Sequence, residues 1–229
     1  MEKTYNMSLR ILIYIVGVCM LALGVVVNTR CGMGASTVNC IVFVFSENSV
    51  LTLGQATMCI YVADLLIQIL VFKGMSLRIA LQIPFSFVFG FLVDFFDAAV
   101  AGGFLSFFQN PDLGMGIFML VFGILCTGIG VSMVMNMNFV PNPPDGCTQA
   151  VGKLTGLPFG RAKWLNDAIR LAIAAVSGIV LAGHIQGIGI GTVICMFTIG
   201  NICQFVDDHM AERYHRIYNP QVSGSPAAA

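Results

Sequence analysis

Charge is the scarcest feature of this chain. Only 10% of its 229 residues are Asp, Glu, Lys or Arg, where a soluble domain carries about 25%. That shortage excludes an ordinary water-soluble surface. With 57% hydrophobic residues and a mean hydropathy of +0.88, the chain belongs in a bilayer. The formal net charge is zero, which leaves no electrostatic case for a nucleic-acid partner. Catalytic signatures are missing too. There is no HExxH, no GxSxG and no His placed near a Ser or Cys, so an enzyme is not expected. No CxxC or Cys/His cluster occurs among the eight cysteines, so no metal and no cofactor is expected. Gly187, Gly189 and Gly191 follow no strand and are no dinucleotide fingerprint. No small-residue cleavage site follows the first apolar run, Ile11 to Val27, which therefore reads as a retained span. Most cysteines sit in apolar runs as small hydrophobes, and Cys31 and Cys40 leave room for one disulfide.

What is present is a repeat. The stretch LGQATMCIYVAD, Leu53 to Asp64, is answered by FGRAKWLNDAIR, Phe159 to Arg170. Gly54 matches Gly160, Ala56 matches Ala162, and Asp64 falls opposite Arg170. The same offset carries Gly17 to Gly123 and Gly24 to Gly130. A shift of four more pairs Gly90 with Gly200 and Asp97 with Asp207. One unit of about ninety residues is written twice, with opposite charges at matched sites.

Apolar length sets the elements. A span needs about 20 apolar residues, and six stretches qualify: Leu9 to Thr29, Gly54 to Phe72, Leu77 to Ala99, Ile117 to Met135, Gly160 to Ala182 and Ile185 to Val206. Pro84 is expected to kink the third. Two shorter stretches cannot cross. Val38 to Phe45 follows Gly34, Ser36 and Thr37, which suit a helix start. In the second half, Pro141, Pro143 and Pro144 forbid a continuing helix, and Asp145 is expected to cap a short one through Leu154. The expected division is a first repeat over about 9–99, a linker over 100–114, a second repeat over about 115–208 and a polar tail over 209–229, all in one membrane domain.

Positive charge then sets topology. If both termini are cytoplasmic and the short helices do not cross, Lys3, Arg10, Lys73, Arg78, Lys153, Arg161, Lys163, Arg213 and Arg216 all lie inside and only Arg30 outside. Three spans per repeat force the second unit to insert upside down. The expectation is an all-α polytopic membrane protein: six transmembrane helices as two inverted three-helix repeats, each with a short, re-entrant helix, as in many secondary transporters.

The run GIGIGTVICMFTIGNICQFVDD, Gly187 to Asp208, resembles the last helix of the YczE/YyaS/YitT-like bacterial membrane proteins. So does PPDGCTQAVGKLTGLPFG, Pro143 to Gly160, with its Pro-Asp segment and Thr-Gly turn. The first half has Gly34–Ala35–Ser36–Thr37 in place of Pro-Asp. The resemblance implies a polytopic, transporter-like protein of the bacterial inner membrane, with no settled substrate.

Candidate site residues follow from cost. A charge at mid-bilayer costs about 2.5–3.5 kcal/mol on insertion scales, so Asp64 and Arg170 need a reason. Repeat symmetry makes them natural partners, either as a register-fixing ion pair or as part of a midplane site, and Asn166 and Asp167 one turn away favour the site. Broken helices aim N-terminal amides into a cavity, which adds Ser36 and Thr37 from one short helix and Asp145 and Thr148 from the other. Tyr61 and Trp164 join as cavity-lining residues, though a Trp near a membrane end is commonly an interface anchor. Asp94, Asp97, Gln204, Asp207 and Asp208 read as solvated helix ends.

The expected function is transport of a small polar or anionic organic solute by alternating access about a midplane site. A non-catalytic membrane subunit is the first alternative, and a cation- or proton-coupled transporter or channel the second. No span carries the polar stripe of a channel, and no soluble domain is present to serve a sensor. The partners expected are the lipid bilayer and a small-molecule solute; a homodimer is compatible with the sequence.

Overall fold

An apolar run in lipid can satisfy its backbone only within itself, as a helix, and the chain is helical throughout its long apolar runs. The computed structural model describes residues 2–108, 111–157 and 159–218. Met1, linker residues 109–110, Pro158 and tail residues 219–229 lie outside the described residues. In order come α1 (Glu2–Arg30), α2 (Thr37–Glu47), α3 (Leu53–Phe72), α4 (Leu77–Gly102), a 3-10 turn (Ser106–Phe108), α5 (Leu113–Met137), α6 (Pro143–Thr155), α7 (Phe159–Ala182) and α8 (Ile190–Tyr218). Among them α1, α3, α4, α5, α7 and α8 are long and apolar enough to cross a membrane, while α2 and α6 are the short pair.

Boundaries depart from expectation where local capping and loop contacts decide them. Helix α5 begins at Leu113 and not at Ile117, because the Asp112 carboxylate accepts the Met115 N–H at 2.9 Å and caps it. Helix α8 begins at Ile190 and not at Ile185. Its approach is pinned to the loop before α2, where Ala35 N–H donates to the Gly187 carbonyl and Gly191 N–H to the Met33 carbonyl, each at 2.8 Å. The backbone of α8 continues through the expected tail to Tyr218. Pro84 lies inside an unbroken α4. All eight cysteines are free, so Cys31 and Cys40 are not bridged.

Helices α1 and α5 form the centre and run antiparallel. Arg10 Nη2 reaches the Met137 carbonyl at 2.8 Å and Tyr14 Oη the Val140 carbonyl at 3.1 Å, while the far end of α1 places the Cys31 carbonyl beside Gly116. Glycine permits the close approach. A Cβ added at Gly130 would lie 2.9 Å from the Gly17 carbonyl oxygen, and one at Gly24 would lie 3.0 Å from that of Gly123. The glycines matched in sequence therefore exchange partners: Gly17 packs on Gly130, and Gly24 on Gly123.

Around this pair, α4 packs on α3 and α1, and α8 on α5. Helix α2 leaves and returns to the Arg30 end of the bundle, since α1 ends there and α3 begins there. Helix α6 does the same at the Arg10 end, between α5 and α7. Each short helix packs against both α3 and α7.

One outer seam is tight and its counterpart loose. Helices α3 and α4 close so tightly that a Cβ at Gly54 would collide with the Gly90 carbonyl oxygen. Asp94 seals the seam by accepting the Gly54 N–H at 2.7 Å and the Thr52 hydroxyl at 2.8 Å. Helix α7 meets α8 only sparsely, and Gly200 has open space where a Cβ would stand. Substitution at two glycines should separate the tight contacts from the loose one. Gly130→Val should overpack the α1–α5 contact and cost about 1–3 kcal/mol, lowering the melting temperature in detergent. Gly200→Ala should be neutral or gain up to about 1 kcal/mol from the better helix former. Equal loss from both would contradict this packing.

Candidate functional site

The deepest polar contact is the one the repeat suggests. Arg170 Nη2 donates to Asp64 Oδ1 at 2.5 Å, with Asp64 2% and Arg170 5% exposed. The long Arg170 side chain spans the gap between α3 and α7, which are joined through α2 and α6. The pair is single-ended: among the described residues, Asp64 Oδ2 and Arg170 Nε are buried without a hydrogen-bond partner. The Cys147 thiol of α6 lies beside both charges.

Next to this pair, the N-terminal ends of α2 and α6 converge on a small cavity of about 60 Å³, room for roughly two waters at about 30 Å³ each. Ser36, Thr37 and Asn39 line it from α2, and Asn142, Pro144 and Asp145 from the start of α6. Tyr61 of α3, Thr127 of α5 and Lys163 and Asp167 of α7 add to the polar wall, with Leu21, Val25 and Ile199 behind. Thr37 Oγ1 donates to Asp167 Oδ1 at 3.0 Å, and Lys163 Nζ stands 3.8 Å from Asp167 Oδ2. A second brace holds α6 to α7: Asn166 Nδ2 donates to Thr148 Oγ1 at 3.1 Å, and that hydroxyl donates to the Pro144 carbonyl at 3.0 Å.

Asp145 is not the cap expected of it. The N-cap of α6 is Asn142, and Pro143 and Pro144 fill the first two helical positions. Those prolines have no N–H to offer, and the Asp145 and Gly146 amides both turn back to the Asn142 carbonyl, at 3.0 and 3.1 Å. The start of α6 thus has no free amide for an anion. In α2 the Ser36 side chain makes no capping bond. Asn39 and Asp145 occupy the same third helical position of their short helices, and both line the cavity. Among the described residues no donor reaches the Asp145 carboxylate, although Asp145 is only 6% exposed. Burial pushes its carboxyl above the usual carboxylate range, against the attraction of Lys163 and Arg170 and with the repulsion of Asp167.

The structure therefore gathers Asp64, Arg170, Asn166, Asp167, Ser36, Thr37, Asp145, Thr148 and Tyr61 into one buried region. Trp164 stays outside it, 57% exposed, edge-on to Phe197 at the mouth of the α7–α8 cleft. Three polar features are not among the candidates that the sequence supplies. Lys163, expected from its position to be a loop charge, faces the cavity. Gln68 and Gln82 exchange hydrogen bonds at 3.0 and 3.2 Å, and Gln68 also donates to the Pro143 carbonyl, fixing the entry to α6. Their signal is an amide on each of two apolar spans. The helix-end acids also have partners: Arg30 grips Asp97 through two bonds of 2.8 Å, and Asp207 accepts from Ser132 and, at 2.7 Å, from Asn136.

Among known proteins, residues 8–208 match the model of a family described as a family of unknown function (DUF6198). No curated protein and no solved structure matches the chain.

The charge pair can be tested by a double-mutant cycle. Asp64→Asn and Arg170→Gln should each lose about 3–5 kcal/mol by stranding the other charge, and the double variant should lose much less. Thermal melts of the detergent-solubilised protein read this directly. Additive losses would mean the two side chains do not meet.

Proposed function

The chain belongs to DUF6198, a family of unknown function, and from its own geometry we propose that it is an alternating-access transporter of a small polar solute. In this reading the chain forms two inverted three-helix units with two re-entrant helices between them, and sits in a bacterial inner membrane with the Arg10 end in the cytoplasm. The observation that carries the reading is the inequality of matched seams. The α3–α4 seam is sealed through Gly54, Gly90 and Asp94, while the α7–α8 seam, which holds Gly200 at the position matching Gly90, stands open as a cleft of about 730 Å³. Lys163 and Met196 line both this cleft and the central cavity, so the two adjoin.

Support for inversion comes from the antiparallel α1 and α5, whose matched glycines exchange partners, and from short helices that enter from opposite ends. An asymmetric pair of seams about one buried site is what a transporter displays when one side is open and the other shut. By the charge asymmetry the open side is cytoplasmic. The electrostatics of the cavity favours the cation- or proton-coupled version over an anionic solute, because α6 presents no amide donors and the wall carries Asp145 and Asp167 against Lys163 alone.

A thermal-shift screen against a metabolite library identifies the solute. A specific ligand at a hundredfold excess over Kd stabilises the fold by about 2.7 kcal/mol. Gly200→Trp then tests the mechanism. The side chain fits the open cleft, so the variant should fold and bind as wild type does, yet fail to exchange the solute in proteoliposomes because α7 cannot close on α8. Wild-type exchange by Gly200→Trp would refute closure at that seam.

A further inference from the structure

We propose that Asp145 is the residue that holds a single positive charge in the central cavity, either a proton or the ammonium group of a solute. The inference rests on the transport reading for its role, but not for its chemistry. Pairing off the charges within the bundle leads to it. Asp64 is matched by Arg170 at 2.5 Å, and Asp167 has Lys163 at 3.8 Å together with the Thr37 hydroxyl. Asp145 is left over: 6% exposed, lining the cavity, and reached by no donor among the described residues. A buried, unpaired carboxylate is costly, and a bound positive charge removes that cost.

The surroundings fit a small cationic group. The titratable groups around Asp145 are Tyr61 and Asp64 from α3, Lys163, Asp167 and Arg170 from α7, and Cys195 and Cys203 from α8. Among the described residues, helices α1, α2 and α5 contribute no titratable side chain to the cavity wall. A space of about 60 Å³ admits a proton or a small ammonium head and little more. The Lys163 boundary with the open cleft gives a route from the Arg10 end. The first half supplies an internal contrast: at the position matching Asp145, α2 carries the neutral near-isostere Asn39 on the same cavity.

The sign of the pH effect follows. A carboxyl whose folded pKa is raised lends stability at low pH and loses it as pH climbs through the folded value. Purified full-length protein in detergent should be melted from mildly acid to mildly alkaline pH, and with methylammonium chloride replacing sodium chloride at constant ionic strength. Wild type should melt higher either at lower pH, which assigns a proton, or with methylammonium, which assigns an ammonium group. Asp145→Asn should lose that response and, at alkaline pH, melt at least as high as wild type. The proposal is overturned if Asp145→Asn keeps the wild-type response, if it melts lower at every pH, or if wild type responds to neither variable. Because these melts read stability and not flux, their failure leaves the Gly200→Trp exchange assay as a separate test of transport.

Discussion

The interior is arranged around the ion pair between Asp64 and Arg170. Neither charge could be left alone in so apolar a bundle, and the pair ties α3 to α7 across the space that the two short helices fill. Once that tie is made, the starts of α2 and α6 have a fixed place beside it. Thr37 meets Asp167, Cys147 lies beside the pair, and Thr148 is held by Asn166. A buried ion pair need not add net stability. Here it fixes where the polar region lies, and the cavity follows from that placement.

Spans and their partners were legible in the sequence because they depend on few physical facts. Twenty apolar residues make a helix in lipid, and a repeat that sets Asp64 opposite Arg170 suggests a contact before any coordinates. What was hidden depended on local backbone chemistry. A Pro-Pro-Asp run reads as a break followed by a cap, but prolines are at home in the first turn of a helix. The cap falls instead to Asn142, which leaves Asp145 a carboxylate without a donor among the described residues. Lys163 was hidden for a different reason: it lies near enough to an end to count as a loop charge, yet the cavity extends to it.

The two seams differ in kind as well as in width. At α3–α4 the backbones touch through glycine, and a carboxylate locks the junction to the first turn of α3. At α7–α8 the cleft is walled by Trp164, Met196 and Phe197 with polar groups at its margins. Protein interiors are close-packed and switch between discrete arrangements more readily than they deform. In this chain one junction is shut and its counterpart stands apart.

The matched positions of Asn39 and Asp145 bear on how such a site can arise. Two identical halves would bring two carboxylates, or two amides, to the same small space. Two carboxylates there would repel, and one would be held neutral by the other; two amides could hold no charge at all. A lone carboxylate on a wall that also carries a lone amide is open only to halves that differ in sequence. Divergence of the two halves is therefore a requirement of that charge, and a dimer of identical half-length chains could not reproduce it.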